Sequence, residues 1–531
     1  MSRDVLIGLD AGTSVIKAVA FDTAGRQLGV ASRPNAYRSL PDGGVEQDME
    51  RTWRDAAAAL AALGAEVEDL AGRALALGVT GQGDGTWLID AEGRPVHDAW
   101  LWLDARAVAA TRRLAGSAAA ETIYRATGSG LNVCQMRTQL ATMRETHPDL
   151  LDRAATALHC KDWLYFRLTG RRASDPTEGC FTFGDYRSRR YSDEAIEALG
   201  LADLRRLLPP IVDGATETAP HGEAAAAATG LPAGLPVSLG YVDIMCAALG
   251  AGLHDAEARP GLSVLGSTGA HLRFVPDAEA VVLNEARSGY TMAFPGRACA
   301  QLQTNMAATL NIDWLLDAGL ELLASQGVER ERAALLAGLD ERVLAARPGA
   351  AVFHPYISTA GERGPFMEPD ARASLTGLDA SVGWFDLVRG VYEGLAMAAR
   401  DCYAAMGPVP AEIRLTGGAA RSTALRAILA AALDRPVRGV AQPEAGAAGA
   451  AMIAAIAQGV LADADEATRA WVAPLLERPE APDRGLAATY DDLFDAYRAT
   501  REALAPAWAV QAASRERRRD RDSDRERGTG A

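Results

Sequence analysis

Apolar and polar positions near the start of the chain predict two short strands joined by a tight turn. Residues 5–9 and 15–21 are apolar and β-prone, and residues 10–14 between them read Asp-Ala-Gly-Thr-Ser. A helical spacing of apolar residues follows at 52–63, and another β-prone run follows at 74–80. Because helices and strands alternate along the chain, the pattern indicates an α/β fold.

The same arrangement of strand, turn and strand recurs at mid-chain. Residues 262–265 are apolar, residues 266–269 read Gly-Ser-Thr-Gly, and residues 270–274 return to a strand pattern. Two such units suggest a duplicated domain, although a glycine-rich turn between strands also forms an ordinary hairpin. Glycine and proline residues at 250–261 predict the boundary between the two halves.

We therefore expect domains at 1–250 and 251–510, followed by a tail at 511–531. Residues 514–531 contain seven Arg, five acidic residues and almost nothing apolar. Such a segment cannot bury apolar surface, and mixed charges are typical of a solvated end. The tail is therefore expected to be disordered.

The charge balance narrows the classes of partner. The 531 residues include 54 Lys and Arg against 69 Asp and Glu, which gives a formal net charge of −15. An acidic chain disfavours binding to nucleic acid or to an anionic membrane, since phosphates need a positive surface. It can still bind ATP at a local site that offers backbone N–H groups, a metal ion or one suitably positioned cationic side chain. The P-loop and GxGxxG patterns are both absent from the sequence.

Cysteine usage and the N-terminus predict a cytoplasmic protein. The six cysteines are scattered without a CxxC motif, and the first residues do not read as a signal peptide. The uncharged run at 445–462 is mostly Ala and Gly, which is too weakly hydrophobic for a membrane span. We expect a buried helix there and reduced thiols throughout.

The first turn carries the first candidate chemistry. Gly12 permits a tight backbone path, and the N–H and hydroxyl groups of Thr13 and Ser14 can face a phosphate. Asp10 ends a strand and can hold Mg²⁺, usually through water, while Lys17 adds a positive charge nearby. The alternative is a plain hairpin with a solvated lysine. Because the chain has only two lysines, one beside this turn modestly favours function.

Two glycine-rich stretches in the second half could bind a nucleotide. Gly417 and Gly418 follow an apolar strand and precede a helical pattern at 424–433, so that free N–H groups could face a ligand. Residues 444–451 open a helix with small side chains, on which a flat group such as adenine could lie. Both stretches also have an explanation without a ligand, namely a strand-to-helix connection and tight helix packing.

A single carboxylate, that of Asp243, stands at the front of the apolar helical pattern at 241–250. An Asp in this position is usually an N-cap or first-turn residue. The alternative is a functional acid at the domain junction, where clefts form.

Together these motifs resemble the FGGY carbohydrate kinase family of the actin-like ATPase superfamily, over about residues 5–459. The first turn resembles the family's first phosphate motif, and 266–269 resembles the second, with Ser267 where Thr is usual. Residues 417–422 resemble the adenosine motif Gly-Gly-Gly-Ala, with Ala419 in place of a Gly. Further stretches similar to family signatures are 161–164, 361–366 and 373–393.

The resemblance implies two α/β domains of the actin-like ATPase (ribonuclease H-like) type, with a catalytic cleft between them that binds Mg²⁺ and ATP. It implies that Asp243 is the general base for the attacking hydroxyl, and that Asp10 and Asp243 hold the metal of Mg-ATP. ATP and phosphate contacts are implied for Asp10, Gly12, Thr13, Ser14, Lys17, Gly266, Ser267, Thr268, Gly417, Gly418, Ala419 and Ser422.

The family's substrate loop corresponds to residues 79–87. The Gly83-Asp84 pair stands where glycerol-phosphorylating members look like Arg-Glu and xylulose-phosphorylating members look like Met-His. Loss of the Arg enlarges the pocket and argues against glycerol, while Asp84 and Gln82 suit paired hydroxyls. Substrate contacts are implied for Gln82, Gly83, Asp84, Trp102, Asp104, Arg106 and Asp243.

Some of these residues have a second explanation. Asp84 begins an Asp-Gly sequence, which is a common turn. Trp102 could cover an apolar sugar face, whereas Asp104 and Arg106 can equally form a structural ion pair.

The substrate-side motifs resemble most those of family members that phosphorylate a terminal hydroxyl of a four-carbon polyol. A ketopentose such as L-xylulose or ribulose is the alternative substrate, and an actin-like ATP-gated binding protein is the alternative from another class. The expected partners are ATP and a small polyol or sugar, without nucleic acid or membrane, and a homodimer is left open. ADP release that requires added polyol separates a kinase from an ATP-gated clamp.

Overall fold

The computed structural model describes residues 3–528. Its strands are β1 (Val5–Ala11), β2 (Val15–Asp22), β3 (Gln27–Pro34), β4 (Arg38–Ser39), β5 (Val45–Gln47), β6 (Ala74–Gly81), β7 (Trp87–Ile89), β8 (Ala99–Trp100), β9 (Thr156–Leu158), β10 (Gly184–Asp185), β11 (Arg190–Tyr191), β12 (Ala219–Pro220), β13 (Pro236–Leu239), β14 (Gly261–Leu265), β15 (Gly269–Val275), β16 (Tyr290–Ala293), β17 (Cys299–Asn305), β18 (Val352–His354), β19 (Ser374–Thr376), β20 (Ile413–Thr416) and β21 (Val437–Gly439).

Its α-helices are α1 (Met49–Glu66), α2 (Leu70–Arg73), α3 (Val108–Ala115), α4 (Ala119–Thr127), α5 (Met136–Thr146), α6 (Pro148–Arg153), α7 (Cys160–Thr169), α8 (Pro176–Phe183), α9 (Asp193–Ala198), α10 (Glu223–Thr229), α11 (Asp243–Gly250), α12 (Thr309–Ser325), α13 (Arg332–Leu336), α14 (Leu339–Ala345), α15 (Trp384–Ala405), α16 (Thr423–Leu433), α17 (Ala445–Ala457), α18 (Ala464–Ala467) and α19 (Ala487–Gly528). Short 3₁₀ turns lie at Ala202–Leu207, Ala278–Ala280, Gly418–Arg421, Ala473–Leu475 and Arg484–Leu486, and a π turn lies at Thr468–Val472.

The elements expected from the sequence pattern are confirmed. β1 and β2 flank the first turn, α1 covers the helical pattern at 52–63, and β6 covers the run at 74–80. β14 and β15 form the second arrangement of strand, turn and strand, and α11 begins at Asp243. The α/β fold class follows from these elements.

The chain forms two compact units that do not follow chain order. The first contains the chain up to Pro260, Leu272–Leu302 and Val440–Leu476, and the second contains Gly261–His271, Gln303–Gly439 and the chain from Glu477 onward. This division differs from domains that meet at residues 250 and 251, because α17 and the segment around it return to the first unit.

The first unit is built on a six-stranded sheet of order β12-β13-β6-β1-β2-β3. β1 runs antiparallel to β2 and parallel to β6, and β6 runs parallel to β13. Side chains alternate along β1, so that Val5, Ile7 and Leu9 join the hydrophobic core that contains α1. Gly8 faces α17 instead, and a Cβ at Gly8 would collide with the backbone carbonyl of Ala447.

The second unit contains a parallel set of strands, in which β14 pairs with β20 and β20 pairs with β21. α15 and α16 pack together beside these strands. Leu395 of α15, Leu415 of β20 and Leu429 of α16 share one hydrophobic core. The carboxyl ends of β14 and β20 lie at the same edge, since the two strands are parallel.

The C-terminal segment is largely helical, and its disorder in solution stays a prediction. α19 extends to Gly528 and so includes most of the segment 511–531, while 529–531 lie outside the described residues. Ala, Arg and Glu fill much of this segment, and all three have high helix propensity. Local helix propensity therefore accounts for the helical backbone of a segment that has little apolar surface to bury.

The Ala-rich run at 445–462 contains α17, whose residues are largely buried, as expected. Among residues 3–528, no helix combines the length and apolar character that a membrane span requires. All six cysteines are buried.

Candidate active site

Three parallel strands of the first unit end at one edge of the sheet and bring distant residues together there. β1 ends beside Asp10, β6 runs into Gln82 and the following loop, and β13 leads to Asp243. The Thr80 hydroxyl donates a hydrogen bond to the carbonyl of Tyr241 (2.7 Å), which joins the last two segments. The edge at the carboxyl ends of parallel strands is where α/β sheets bind ligands.

Asp10 lies opposite Lys17 in the antiparallel pair of β1 and β2. Lys17 Nζ forms an ion pair with Glu444 Oε2 at 2.8 Å, just before α17 begins. Asp10 Oδ1 is buried and has no hydrogen-bond partner among the described residues. Gly446 packs directly against the other oxygen of Asp10, where a Cβ would collide with it.

The Asp243 carboxylate lies at the first position of α11, where its Oδ1 accepts a hydrogen bond from the Ile244 N–H at 2.6 Å. Burial and then the negative charge of Asp10 raise the pKa of Asp243 to about 7. Burial also raises the pKa of Asp10 to about 6. Both acids are therefore proton acceptors of increased basicity, and their charges repel each other.

This pair of carboxylates fits a divalent cation. A cation would satisfy the unpartnered oxygen of Asp10 and would relieve the repulsion that raises the pKa of Asp243. Within residues 3–528, no group of three or more His, Cys, Asp and Glu side chains is placed to hold a metal. The arrangement suits Mg²⁺, which commonly takes one or two protein carboxylates together with phosphate oxygens and water.

The loop after β6 is held tightly in place. Gln82 donates to Gln47 Oε1 at 2.7 Å, and its own Oε1 is buried without a hydrogen-bond partner among the described residues. A Cβ at Gly83 would collide with the Val242 side chain, so this position accepts no side chain without rearrangement. An Arg side chain would not fit at position 83 without rearrangement, so the absence of Arg from this loop agrees with the packing around Gly83.

Asp84 adopts a left-handed backbone conformation, with φ of 54°. Its backbone N–H donates to Glu178 Oε1 at 3.0 Å, and its Oδ2 accepts from the Cys134 thiol at 3.0 Å. The Asp-Gly turn and the functional interpretation are therefore compatible, since the backbone forms the turn while the carboxylate is held separately.

The structure separates Trp102 from the ion pair that follows it. The Trp102 indole N–H donates to Thr13 Oγ1 at 2.9 Å, so this side chain contacts the first turn. Asp104 is fully buried. Its Oδ2 lies 2.6 Å from Arg106 Nη2 and also accepts a hydrogen bond from the backbone N–H of Val45 at 2.8 Å. The geometry of Asp104 and Arg106 favours the structural ion pair over contact with a substrate.

In the second unit, the turn between β14 and β15 exposes two hydroxyl groups. Ser267 and Thr268 are exposed, whereas their backbone is fixed by neighbours. Ala308 N donates to the Ser267 carbonyl at 2.7 Å, and Thr309 N donates to the Gly266 carbonyl at 3.0 Å. The hydroxyls are thus presented on a supported turn.

The adenosine-like stretch begins at the end of β20, next to that turn within the second unit. Gly417 has φ of 90°, and a Cβ there would collide with the carbonyl of Leu265. Gly418 has open space around its Cα, and Ala419 is buried. The close approach of Gly417 to Leu265 explains why a glycine is required at this position.

The Ser422 side chain caps the N-terminus of α16. Its Oγ accepts from the Leu425 N–H at 3.1 Å and donates to Asp340 Oδ1 at 2.7 Å. Both bonds of the Ser422 hydroxyl are therefore explained by its contacts with α16 and with Asp340 of α14.

Comparison with known proteins decides the family. The models of the N-terminal and C-terminal domains of the FGGY family of carbohydrate kinases match residues 5–250 and 263–458. The chain belongs to the FGGY family of carbohydrate kinases. A carbohydrate kinase transfers a phosphoryl group from ATP to a hydroxyl group, so ATP is a co-substrate of this FGGY kinase.

Individual relatives cover nearly the whole FGGY kinase. Erythritol kinase from Brucella abortus (strain 2308) is 53% identical over 95% of this chain and 97% of its own. Xylulose kinase from Escherichia coli (strain K12) is 29% identical over 85% of this chain and 90% of its own. The crystal structure of xylulose kinase from Rhodospirillum rubrum matches with a TM-score of 0.85 at 27% identity, over 95% and 100% of the two chains. This match bears out the two-domain fold of the actin-like ATPase type.

Several residues of the FGGY kinase that support the site carried no local sequence signal. Glu444 pairs with Lys17 across 427 positions of the chain. Glu178 reaches the substrate loop from α8, and Asp340 holds the cap of α16. The small residues of α17 pack tightly against the sheet and α11, which favours packing over adenine binding at that helix. The one sequence signal for Lys161 is the stretch 161–164, which resembles a family signature.

Proposed function

We propose that this FGGY kinase phosphorylates a terminal hydroxyl of erythritol with ATP as phosphoryl donor. The observation that carries the substrate is the 53% identity, over 95% of the chain, to a protein named erythritol kinase. The packing around Gly83, which leaves no room for a side chain, supports a pocket unlike that of glycerol-phosphorylating members.

Asp243 is the proposed general base. Its carboxylate accepts the proton of the polyol hydroxyl while the oxygen forms a bond to the γ-phosphorus and the bond to the β-phosphate oxygen breaks, so that ADP leaves. A pKa raised to about 7 makes Asp243 a stronger acceptor than an ordinary carboxylate. Burial, the first cause of this raised pKa, persists when a cation is bound, whereas the repulsion from Asp10 would be relieved.

The remaining roles are proposed on the same basis. Asp10 and Asp243 would hold Mg²⁺, which would neutralise charge on the transferred phosphoryl group. Ser267 and Thr268 would bind the γ-phosphate through their exposed hydroxyls, and Gly417 and Gly418 would approach the adenosine. The cytoplasmic location, the absence of nucleic-acid binding and the oligomeric state stay predictions.

Xylulose and other ketopentoses are the second candidate substrates, because xylulose kinases are among the relatives and structural matches. A coupled assay of ADP release tests both candidates with erythritol, threitol, glycerol, xylitol, L-xylulose and D-ribulose. We expect kcat/KM for erythritol to exceed that for each other compound by at least about tenfold, which corresponds to ~1.4 kcal/mol of transition-state binding.

A preference for L-xylulose or D-ribulose would overturn the proposed substrate but would leave the kinase assignment intact. ADP release at the same rate without any polyol would instead favour an ATP-gated binding protein. The Asp243→Asn variant is the matched control, because it removes the proposed base and preserves the size of the side chain.

A further inference from the structure

A fully buried charge network lies behind the substrate loop in the first unit. Lys161 Nζ lies 2.6 Å from Asp162 Oδ1 and 2.6 Å from Asp175 Oδ1. His159 Nδ1 lies 3.1 Å from Asp162 Oδ2, and His159 Nε2 lies 3.3 Å from Glu178 Oε2. Buried charges are costly unless they are paired, so this set is held in a single arrangement.

The network fixes the first turn of α8. Asp175 is the N-cap of this helix, and its carboxylate accepts from the backbone N–H groups of Thr177 and Glu178. Pro176 occupies the first helical position, where its fixed φ favours the helix. Asp175 thus links the buried Lys161 to the start of α8.

Two consecutive side chains of this turn reach the proposed catalytic and substrate-binding segments. Thr177 Oγ1 accepts from the Val242 N–H at 3.1 Å, and Val242 is the residue immediately before Asp243. Glu178 Oε1 accepts from the Asp84 N–H at 3.0 Å. Both side chains are fully buried, so water does not compete for these bonds.

We propose that Thr177 and Glu178 are positioning residues, which set Asp243 and Asp84 respectively from one turn of α8. The inference rests on the proposed function, in which Asp243 accepts the hydroxyl proton, and on the contact between Asp84 and the polyol that the family resemblance implies. Because the two residues are adjacent on one helix, the separation between base and polyol-binding carboxylate is set by rigid secondary structure rather than by loops.

The conformation of Asp84 shows why such support is needed. A left-handed backbone is less favourable for aspartate than for glycine, and contacts with neighbours help to hold the φ of 54°. The bond from the Asp84 N–H to Glu178 is such a restraint. Burial raises the pKa of Glu178, and a glutamine in its place would keep the shape of the side chain and the oxygen that accepts from the Asp84 N–H.

Kinetic constants separate the two positioning roles. We expect Glu178→Ala to raise KM for the polyol about tenfold, while KM for ATP stays within about twofold, because loss of one buried hydrogen bond frees the Asp84 loop. We expect Thr177→Val to lower kcat about tenfold with a smaller change in polyol KM, because it frees the segment that carries Asp243. Glu178→Gln and Thr177→Ser keep the acceptor oxygens and should restore both constants.

Matched controls separate positioning from a general loss of stability. Glu393→Ala removes a buried, ion-paired glutamate of the second unit, whose Oε1 lies 2.7 Å from Arg389. Thr229→Val removes a buried hydroxyl of the first unit that accepts from the Leu231 N–H at 3.3 Å. Both controls should lower the melting temperature and leave the kinetic constants of the folded enzyme unchanged. Equal kinetic effects in the controls and the test variants would overturn the proposal.

Hydrogen–deuterium exchange gives a readout that does not depend on the identity of the substrate. Glu178→Ala should speed exchange in the peptide that contains Asp84 at least about fivefold more than in the peptide that contains Val242, and Thr177→Val should do the reverse. The milder Glu178→Asp, which shortens the side chain, serves the same purpose if Glu178→Ala does not fold. Uniform exchange changes would contradict the positioning roles, whereas selective exchange in an enzyme that prefers another polyol would refute only the proposed substrate.

Discussion

The two phosphate-motif turns of this kinase are supported in different ways. In the turn between β1 and β2, side chains bind a carbonyl and a hydroxyl, since Asn35 Nδ2 donates to the Gly12 carbonyl at 2.8 Å and Trp102 donates to the Thr13 hydroxyl at 2.9 Å. The Asn35 backbone N–H also donates to the Ser14 carbonyl at 2.8 Å. The turn between β14 and β15 is tied through its carbonyls, by backbone N–H groups of Ala308 and Thr309 and by the Thr309 hydroxyl, which donates to the Gly266 carbonyl at 2.9 Å. Ser267 and Thr268 of the second turn are both exposed, whereas in the first turn Ser14 is exposed and the Thr13 hydroxyl accepts from Trp102.

Two similar hairpins therefore offer different groups, an acid at the end of a strand in the first and exposed hydroxyls in the second. The first turn fixes the strand end that carries Asp10, one of two acids with raised pKa. The second turn presents the hydroxyls of Ser267 and Thr268 to solvent. We expect chemistry to depend most on the acids beside the first turn, and phosphate binding to depend on the hydroxyls of the second.

The largest expected effect is a loss of turnover when Asp243, one of the two acids with raised pKa, is replaced. Asp243→Asn should reduce kcat by about 10²–10⁴-fold, the usual contribution of a general base, because an amide accepts no proton in this reaction. Binding of ATP should change much less than kcat, because the amide of the variant keeps an oxygen that can face Mg²⁺ and Asp10 is unaltered. A coupled ADP assay and calorimetric titration with ATP measure the two quantities, and turnover close to that of the unmodified enzyme would refute the base assignment.

The next effect concerns the second turn and is a dependence of the protein's stability on pH through His271. His271, on the strand after the second turn, lies 2.9 Å from Ser263 and 3.1 Å from Asn305, and burial lowers its pKa to about 4. The unfolded chain binds this proton near pH 6.5, so the stabilising contribution is present above that pH and is lost as pH falls toward 4. The loss should be on the order of 3 kcal/mol.

Denaturant unfolding of the kinase and of His271→Gln at several pH values measures this contribution. Glutamine does not titrate, so the variant should lose less stability between pH 6.5 and 4 than the unmodified chain. Parallel slopes for the two proteins would show that His271 is not the group responsible.

A smaller effect tests the exposed hydroxyls of the second turn. Ser267→Ala should lower kcat/KM for ATP about tenfold or more, because it removes a hydrogen bond to a charged phosphate. Ser267→Thr, which restores the hydroxyl, should remain close to the unmodified enzyme. Equal values for the Ala and Thr variants would show that the hydroxyl is not used.

The smallest effect tests the tie on the first turn. Trp102→Phe removes the indole N–H that binds Thr13 and keeps most of the aromatic surface. Loss of one half-buried neutral hydrogen bond should reduce kcat/KM about threefold. A steady-state assay with varied polyol checks this value, and a drop of a hundredfold would mean that Trp102 contacts the substrate itself.

The sequence alone was enough to predict the parts of the site that depend on local pattern. The two hairpins follow from short apolar runs on either side of turn residues. Asp10, Asp84 and Asp243 each lie at or just after the carboxyl end of a strand, and parallel pairing of β1, β6 and β13 brings these ends to one edge. The family resemblance supplied the roles that local pattern could not.

The supporting contacts could not be predicted, because they join positions that have no local relation. Glu178 reaches Asp84 across 94 positions, and Ser422 reaches Asp340 across 82. The choice between a substrate contact and an ion pair for Asp104 and Arg106 also needed the packed structure, which places both Asp104 oxygens against protein donors. The return of α17 to the first unit had no signal in its own composition.

The late position of α17 in the chain determines when, during synthesis, one face of the first unit's sheet can be covered. The helix covers Gly8 and Gly78 of the central strands, where a Cβ would strike its backbone, yet it begins only at Ala445. At about 5–20 residues per second, a ribosome would take roughly 20–90 seconds to reach the helix after the first strand is made. During that time, one face of the nascent sheet stays open to water and to other chains, and a truncated product would keep it open permanently.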